Sequence, residues 1–186
     1  MPLQLEKVLF VGHSVSSMIG ILASIQSPEL FKRLILVDPS PRYINDSSDN
    51  YIGGFERSDI EELLNIMENN YIGWASFLAP IVMKNEDKPE LTQELEESFC
   101  STEPVIANCF AKATFYSDNR SDLPQVTIPS LILQCSDDAI APTEVGYYLQ
   151  EHLHQSTLKL MQATGHCPHL SHPQETITLI KEYLKS

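Results

Sequence analysis

Ser14 lies in Gly12-His13-Ser14-Val15-Ser16, directly after the apolar run Val8-Leu9-Phe10-Val11 and before a helix-like stretch from Ser17 to Gln26. A lone serine where a strand turns sharply into a helix is suited to nucleophilic attack. Small flanking residues let the backbone take a strained conformation that lifts Oγ clear of the sheet edge. The following backbone N–H, that of Val15, is then free to stabilise an oxyanion. Ser16 stands where such turns usually close with glycine, and it is still small enough for strand and helix to approach closely. The bland alternative is an ordinary strand-to-helix turn carrying a serine cap.

A nucleophilic serine needs a base and an acid, and both follow in the chain. Pro129-Ser130-Leu131-Ile132-Leu133-Gln134-Cys135 reads as a buried strand that runs into Ser136-Asp137-Asp138-Ala139-Ile140-Ala141-Pro142. Thr157-Leu158-Lys159-Leu160-Met161 reads as a further strand, followed by His166 in a loop just after Gly165. In the order serine, acid, histidine, the imidazole takes the serine proton and the acid holds it in the right tautomer. Ser14 and His166 fill two of these roles, and either Asp137 or Asp138 can fill the third. Loop aspartates commonly bond nearby backbone, and Asp137 is the better candidate for that duty.

His166-Cys167-Pro168-His169-Leu170-Ser171-His172 invites a metal reading, since imidazole and thiolate are the usual zinc ligands. Pro168 and Pro173 are expected to break this segment into an extended loop. Cys100, Cys109 and Cys135 are scattered without CxxC spacing, so no second ligand pair completes a set. His169 and His172 then pack and cap the last helix. No metal and no other cofactor is expected.

The elements that must position these residues follow from periodicity. Val8 to Val11, Leu34 to Val37, Leu131 to Leu133 and Leu158 to Met161 are near-continuous aliphatic runs, as in a parallel sheet covered on both faces. Helical patterns alternate with them, which predicts an α/β fold with right-handed crossovers. The last helix runs from Pro173 to Leu184, with Ile177, Ile180 and Leu184 on one face. Between Val37 and Pro129 the alternation stops, and helical patterns fall at Asp59 to Asn69, Tyr71 to Met83, Pro89 to Phe99 and Pro104 to Phe115. Residues 45–122 are therefore read as an inserted helical cap over a core made of 1–44 and 123–186. Trp74, Phe77, Phe110 and Phe115 from that cap, with His13 from the serine turn, are the expected lining of an apolar pocket.

Composition narrows the function classes. The chain has 186 residues, 42% hydrophobic and 20% charged, within the range of soluble globular proteins. No run approaches the roughly 18 apolar residues of a membrane span, and the start lacks the pattern of a signal peptide. Four cysteines without pattern or export signal are expected to be reduced thiols in a cytoplasm. A formal charge of -13 argues against nucleic acid as a partner.

Taken together, Val11-Gly12-His13-Ser14-Val15, Asp38-Pro39-Ser40-Pro41, Gly53-Gly54-Phe55, Asn70-Tyr71-Ile72-Gly73-Trp74, Phe99-Cys100-Ser101-Thr102 and Gly165-His166-Cys167-Pro168-His169 carry a family resemblance. The chain resembles the bacterial sigma-B regulator Q group of α/β-hydrolases, relatives of plant karrikin and strigolactone receptors. In the resembling enzymes the acid commonly stands four residues before a proline, which favours Asp138 over Asp137. The resemblance implies an α/β-hydrolase fold with a four-helix cap and a Ser14–His166–Asp138 triad. The implied substrate is a small hydrophobic ester-like or lactone-like compound, with a stress-signalling phosphatase as partner. It also implies that the chain is an N-terminally truncated homologue holding the C-terminal half of the sheet. Leu3 to Lys7 would be the tail of a preceding helix, and Val8 to Val11 an edge strand prone to aggregation. The alternative from another class is a non-catalytic ligand-binding or signalling module, or a gene fragment.

Overall fold

The computed structural model describes residues 5–185. Leu3 and Gln4, read as part of a helix tail, lie outside them. Leu5 and Glu6 are not helical, and Lys7 is a bend with φ of 48° that turns the chain into the first strand. Four strands follow, β1 (Val8–His13), β2 (Phe31–Val37), β3 (Ser130–Asp137) and β4 (Ser156–Thr164). They form one parallel sheet in the order β1-β2-β3-β4. Crossovers are α1 (Val15–Gln26) between β1 and β2 and α6 (Thr143–His152) between β3 and β4.

Burial separates the central strands from the outer pair. In β2 and β3, Leu34, Leu36 and Ile132 point to one face, where Met18 and Ile21 of α1 and Val145 and Leu149 of α6 cover them. Ile35, Val37, Leu131 and Leu133 point to the other, against Leu179, Ile180 and Tyr183 of α8 (Pro173–Lys185). Each fully buried aliphatic side chain of this set contributes about 1.5–3 kcal/mol. The double covering read from the aliphatic runs therefore belongs to β2 and β3. Along β1 the pattern alternates instead, leaving Leu9 47% and Val11 56% exposed.

The face of α8 also differs from the sequence reading. Thr176 is buried and its hydroxyl donates to the carbonyls of Pro168 and His172, while Ile177 and Leu184 are exposed. The packed row is 176, 179, 180 and 183, an i, i+3, i+4, i+7 stripe whose first member is polar and so escaped an apolar count. Ahead of it, Pro168 opens a short helix, α7 (Pro168–Ser171), where an extended loop was expected. Proline is suited to the first helical position, because its missing N–H would be unpaired there anyway.

Four helices intervene between β2 and β3: α2 (Arg57–Asn69), α3 (Tyr71–Met83), α4 (Pro89–Cys100) and α5 (Pro104–Phe115). Their starts are written locally. Asn70 caps α3 by accepting from the Gly73 N–H at 3.0 Å, and Pro89 and Pro104 open α4 and α5. Ile60, Leu64, Met67, Trp74, Leu78 and Met83 bury one another in a separate apolar cluster.

That cluster is joined to the sheet where β4 ends. His166 donates its backbone N–H to the Val82 carbonyl at 2.7 Å, and Gly165 donates to the Asp137 carbonyl at 2.9 Å. Gly165 holds φ of 80°, and a Cβ there would meet the Met83 carbonyl oxygen at 2.3 Å. Gly165→Ala is expected to lower stability by at least about 1–3 kcal/mol, the cost of forcing a side chain into that conformation. Urea unfolding of the two proteins measures the difference.

Candidate active site

Ser14, Asp38, Asp138 and His166 each leave the C-terminal end of a different strand, which gathers them along one edge of the sheet. Open parallel sheets place their ligand sites along this edge. Ser14 has φ of 53° and ψ of -125°, a conformation rare for a residue with a side chain. Its backbone N–H donates to the Val37 carbonyl at 2.8 Å, which fixes the turn against β2. Gly12 allows the turn to be this tight, since a Cβ there would lie 2.8 Å from the Ser16 carbonyl. Val15 is the first residue of α1, so its N–H has no partner within the helix, and Val15 lines the same cavity as Ser14.

The serine, histidine and aspartate form one hydrogen-bond chain. Ser14 Oγ and His166 Nε2 are 2.7 Å apart, and His166 Nδ1 and Asp138 Oδ2 are 2.7 Å apart. The second Asp138 oxygen accepts the Ile140 N–H at 2.8 Å, so the carboxylate is oriented from both sides. With Nδ1 donating to the carboxylate, Nε2 is the acceptor for the serine proton. Asp137 is elsewhere: it is exposed and pairs with Lys84 Nζ at 2.5 Å. The expectation that its carboxylate would bond turn backbone is corrected by that ion pair.

Burial and charge set the protonation of the cluster. Burial opposes charge on His166, but the hydrogen bond and charge of Asp138, with the charge of Asp38, raise its pKa above the ordinary value. His13 is pushed the other way, to about 3, by burial and by the neighbouring His166. It is therefore neutral, and its Nε2–H donates to the His166 carbonyl at 2.5 Å. His169 completes a row of rings, its centroid 4.5 Å from that of His13. His13, Asp38 and His166 bring one ligand atom each within 4.8 Å of one another. His166 is already committed on both nitrogens, which leaves that trio without a free second imidazole, and the hydrogen-bond chain accounts for the cluster.

The serine opens into a cavity of about 510 Å³. Trp74, Phe110 and Phe115 line it, as does His13, while Leu78 and Phe99 add to its apolar wall. Phe77 is a correction: it is 55% exposed and lies outside the lining. It sits on α3, whose residues are apolar on nearly every side, so periodicity could not show which of them turns inward. Tyr43, Ile140 and Cys167 line the cavity and were not read from the sequence. Tyr43 is the most consequential omission, and the only available signal was its position shortly after the end of β2, in the stretch that begins Asp38-Pro39-Ser40-Pro41.

A sheet with a nucleophile-type serine turn after one strand, an acid after another and a histidine after the last defines a class of fold, and sequence comparison agrees. The chain belongs to the alpha/beta hydrolase fold family, whose model matches residues 2–173. It is 39% identical over 184 residues to a probable esterase of Oryza sativa subsp. japonica, covering 98% of this chain and 67% of that protein. It is 38% identical over 182 residues to a karrikin insensitive 2 receptor of Petunia hybrida, covering 97% and 67%. Among solved structures, a hydrolase from Oleispira antarctica superposes with a TM-score of 0.94 at 44% identity, covering 98% of this chain and 66% of that one. The chain thus spans about two thirds of the length of the relatives it matches. Among the described residues, no helix is long and apolar enough to cross a membrane.

Asp38 supplies a test of this electrostatic picture. It is fully buried, accepts the Cys135 N–H at 2.8 Å, and is pushed up from 3.8 to about 7 by burial and by the Asp138 charge. A carboxyl whose folded pKa is raised favours the folded state most when protonated, and that contribution is lost as pH rises from about 4 to about 7. Asp38→Asn is therefore expected to gain stability relative to the parent across that window and to hold the gain above it. Urea denaturation of both proteins at several pH values measures the difference.

Proposed function

We propose that this chain is a serine hydrolase for small hydrophobic esters or lactones, with Ser14 as nucleophile, His166 as base and then acid, and Asp138 holding His166. The observation that carries this reading is the pair of 2.7 Å contacts linking Ser14, His166 and Asp138 at the floor of an apolar cavity. As Ser14 Oγ attacks the carbonyl carbon, its proton passes to His166 Nε2 and the carbonyl electron pair moves onto oxygen beside the Val15 N–H. Collapse breaks the ester C–O bond, and the leaving alkoxide takes the proton from His166. Water attacks the acyl-enzyme by the same route, giving its proton to His166 and restoring Ser14.

The substrate class rests on the cavity. About 510 Å³ is room for a small ligand, and its wall is dominated by aromatic and aliphatic side chains. We take 45–122 as a cap over this cavity. The sequence motifs support placement in the sigma-B regulator Q group, and with it a stress-signalling phosphatase as partner.

A second reading, a receptor that binds without needing turnover, is favoured by the likeness to the petunia receptor. Ser14→Ala separates the two, since it abolishes function if the chain acts as a hydrolase and spares ligand binding if the chain acts as a receptor. The deciding experiment is intact mass after a fluorophosphonate probe. An adduct is expected on the parent chain and not on Ser14→Ala; an unmodified parent chain sinks the hydrolase reading.

The raised pKa of His166 gives a second expectation. The imidazole must be neutral to accept the serine proton, so kcat/KM is expected to fall as pH drops, with a midpoint above 6.5. A pH–rate profile on a p-nitrophenyl ester measures it, and a midpoint below that value would contradict the assigned charge pattern.

A further inference from the structure

A tyrosine hydroxyl stands beside the serine in a place the hydrogen-bond chain does not use. Tyr43 is 1% exposed, lines the same cavity, and holds its hydroxyl 3.4 Å from Ser14 Oγ. Its ring is fixed edge-on against Phe115, with centroids 5.3 Å apart. Its backbone is fixed too. Phe55 donates its N–H to the Tyr43 carbonyl at 3.1 Å, and Asn45 donates to the Phe55 carbonyl at 2.8 Å. Gly53 closes against this segment so tightly that a Cβ would lie 2.5 Å from the Tyr43 carbonyl oxygen. The Gly53-Gly54-Phe55 stretch thus acts on the site through Tyr43.

The serine proton is directed at His166 Nε2, so in this pair Tyr43 is the donor. At 3.4 Å the ground-state bond is weak, which leaves the phenolic proton largely unspent. The oxyanion and Oγ are attached to the same carbon in the tetrahedral intermediate. A donor flanking Oγ at this distance is therefore in reach of the developing charge, for which about 2.7–3.1 Å is needed. Burial pushes the phenol up to about 12, so it keeps its proton while the serine reacts. A donor that binds weakly before attack and strongly after it lowers the barrier.

We infer that Tyr43 is a catalytic residue whose O–H donates a hydrogen bond to the oxyanion formed on Ser14 attack, alongside the Val15 N–H. This rests on the hydrolase reading above. No proton is transferred to the oxyanion: the carbonyl π pair moves onto oxygen, Tyr43 O–H and Val15 N–H hold it there, and it returns when the C–O bond of the leaving group breaks. Substrates must then enter with the carbonyl oxygen turned toward Tyr43, between α1 and the loop that follows β2.

Tyr43→Phe tests the role, because it keeps the ring against Phe115 and removes only the hydroxyl. Hydrolysis of p-nitrophenyl acetate is expected to lose about 10²-fold in kcat with KM changed by less than about twofold. An aryl trifluoromethyl ketone, which forms an anionic hemiketal on the serine, is expected to weaken by a similar factor. The corresponding trifluoromethyl alcohol, which forms none, is expected to bind both proteins alike. The pH midpoint of kcat/KM should not move, whereas a residue that merely positioned Ser14 or His166 would shift it. Unchanged kcat in Tyr43→Phe, or lost kcat with unchanged ketone affinity, overturns the inference while leaving the hydrolase reading intact. A parent chain that neither hydrolyses the ester nor forms the hemiketal overturns both.

Discussion

Parallel pairing in register is the constraint on which the site depends. Adjacent parallel strands run from the same end, so the residues that follow their last rungs come out side by side. His13 pairs with Val37, Val37 with Leu133, and Asp137 with Thr164. The ladder continues one step past the strands: Ser14 donates to the Val37 carbonyl, Asp38 to that of Leu133, and Gly165 to that of Asp137. Each of these bonds is the terminal rung of a sheet and the anchor of a site residue or its neighbour. A slip of one residue in any strand would turn its side chains to the opposite face and carry the attached site residue with it. The buried aliphatic residues of β2 and β3 therefore do more than stabilise the core, because they pin the register that aims Ser14 and His166 at each other.

What the sequence disclosed and what it hid divide along the range of the interactions. The strand runs and the helices at 71–83 and 104–115 are written in neighbouring residues, by aliphatic character, an asparagine cap and prolines that open helices. The serine turn is likewise local, since Gly12, Ser14 and Ser16 lie within one turn of chain. Asp137 and Asp138 could not be told apart locally, being adjacent carboxylates on one strand end. What separates them is distant: Lys84 draws Asp137 outward and His166 draws Asp138 inward. Phe77 and Tyr43 are mirror errors of the same kind. The first is an aromatic on an apolar helix that packing turned outward, the second an aromatic in an irregular loop that Gly53 and Phe55 turned inward.

The charge pattern follows from putting two carboxyl groups and two imidazoles on one buried edge. Both carboxylates cannot be ionised cheaply in a buried site, and the strain falls on Asp38, which has backbone, thiol and amide donors but, among the described residues, no cation in contact. Asp138 faces the one imidazole that can answer its charge. His13 has no such partner. Burial and the nearby His166 keep it neutral, and a neutral ring can give its single N–H to the His166 carbonyl. The neutral histidine thus braces the backbone of the chargeable one, and their unlike affinities for a proton come from burial, which acts on both, and from the Asp138 hydrogen bond, which only His166 receives.

An apolar wall around such a cluster strengthens polar contacts beside it, because it lowers the local dielectric. It also makes an unpartnered donor costly. Val15 and Tyr43 come from unrelated parts of the chain, a helix start and a loop tied to Gly53, yet both line the cavity at Ser14, with the Tyr43 hydroxyl 3.4 Å from its oxygen. On the proposed hydrolysis, the resting site would gain little from them, and the state in which charge appears beside Ser14 would gain from both.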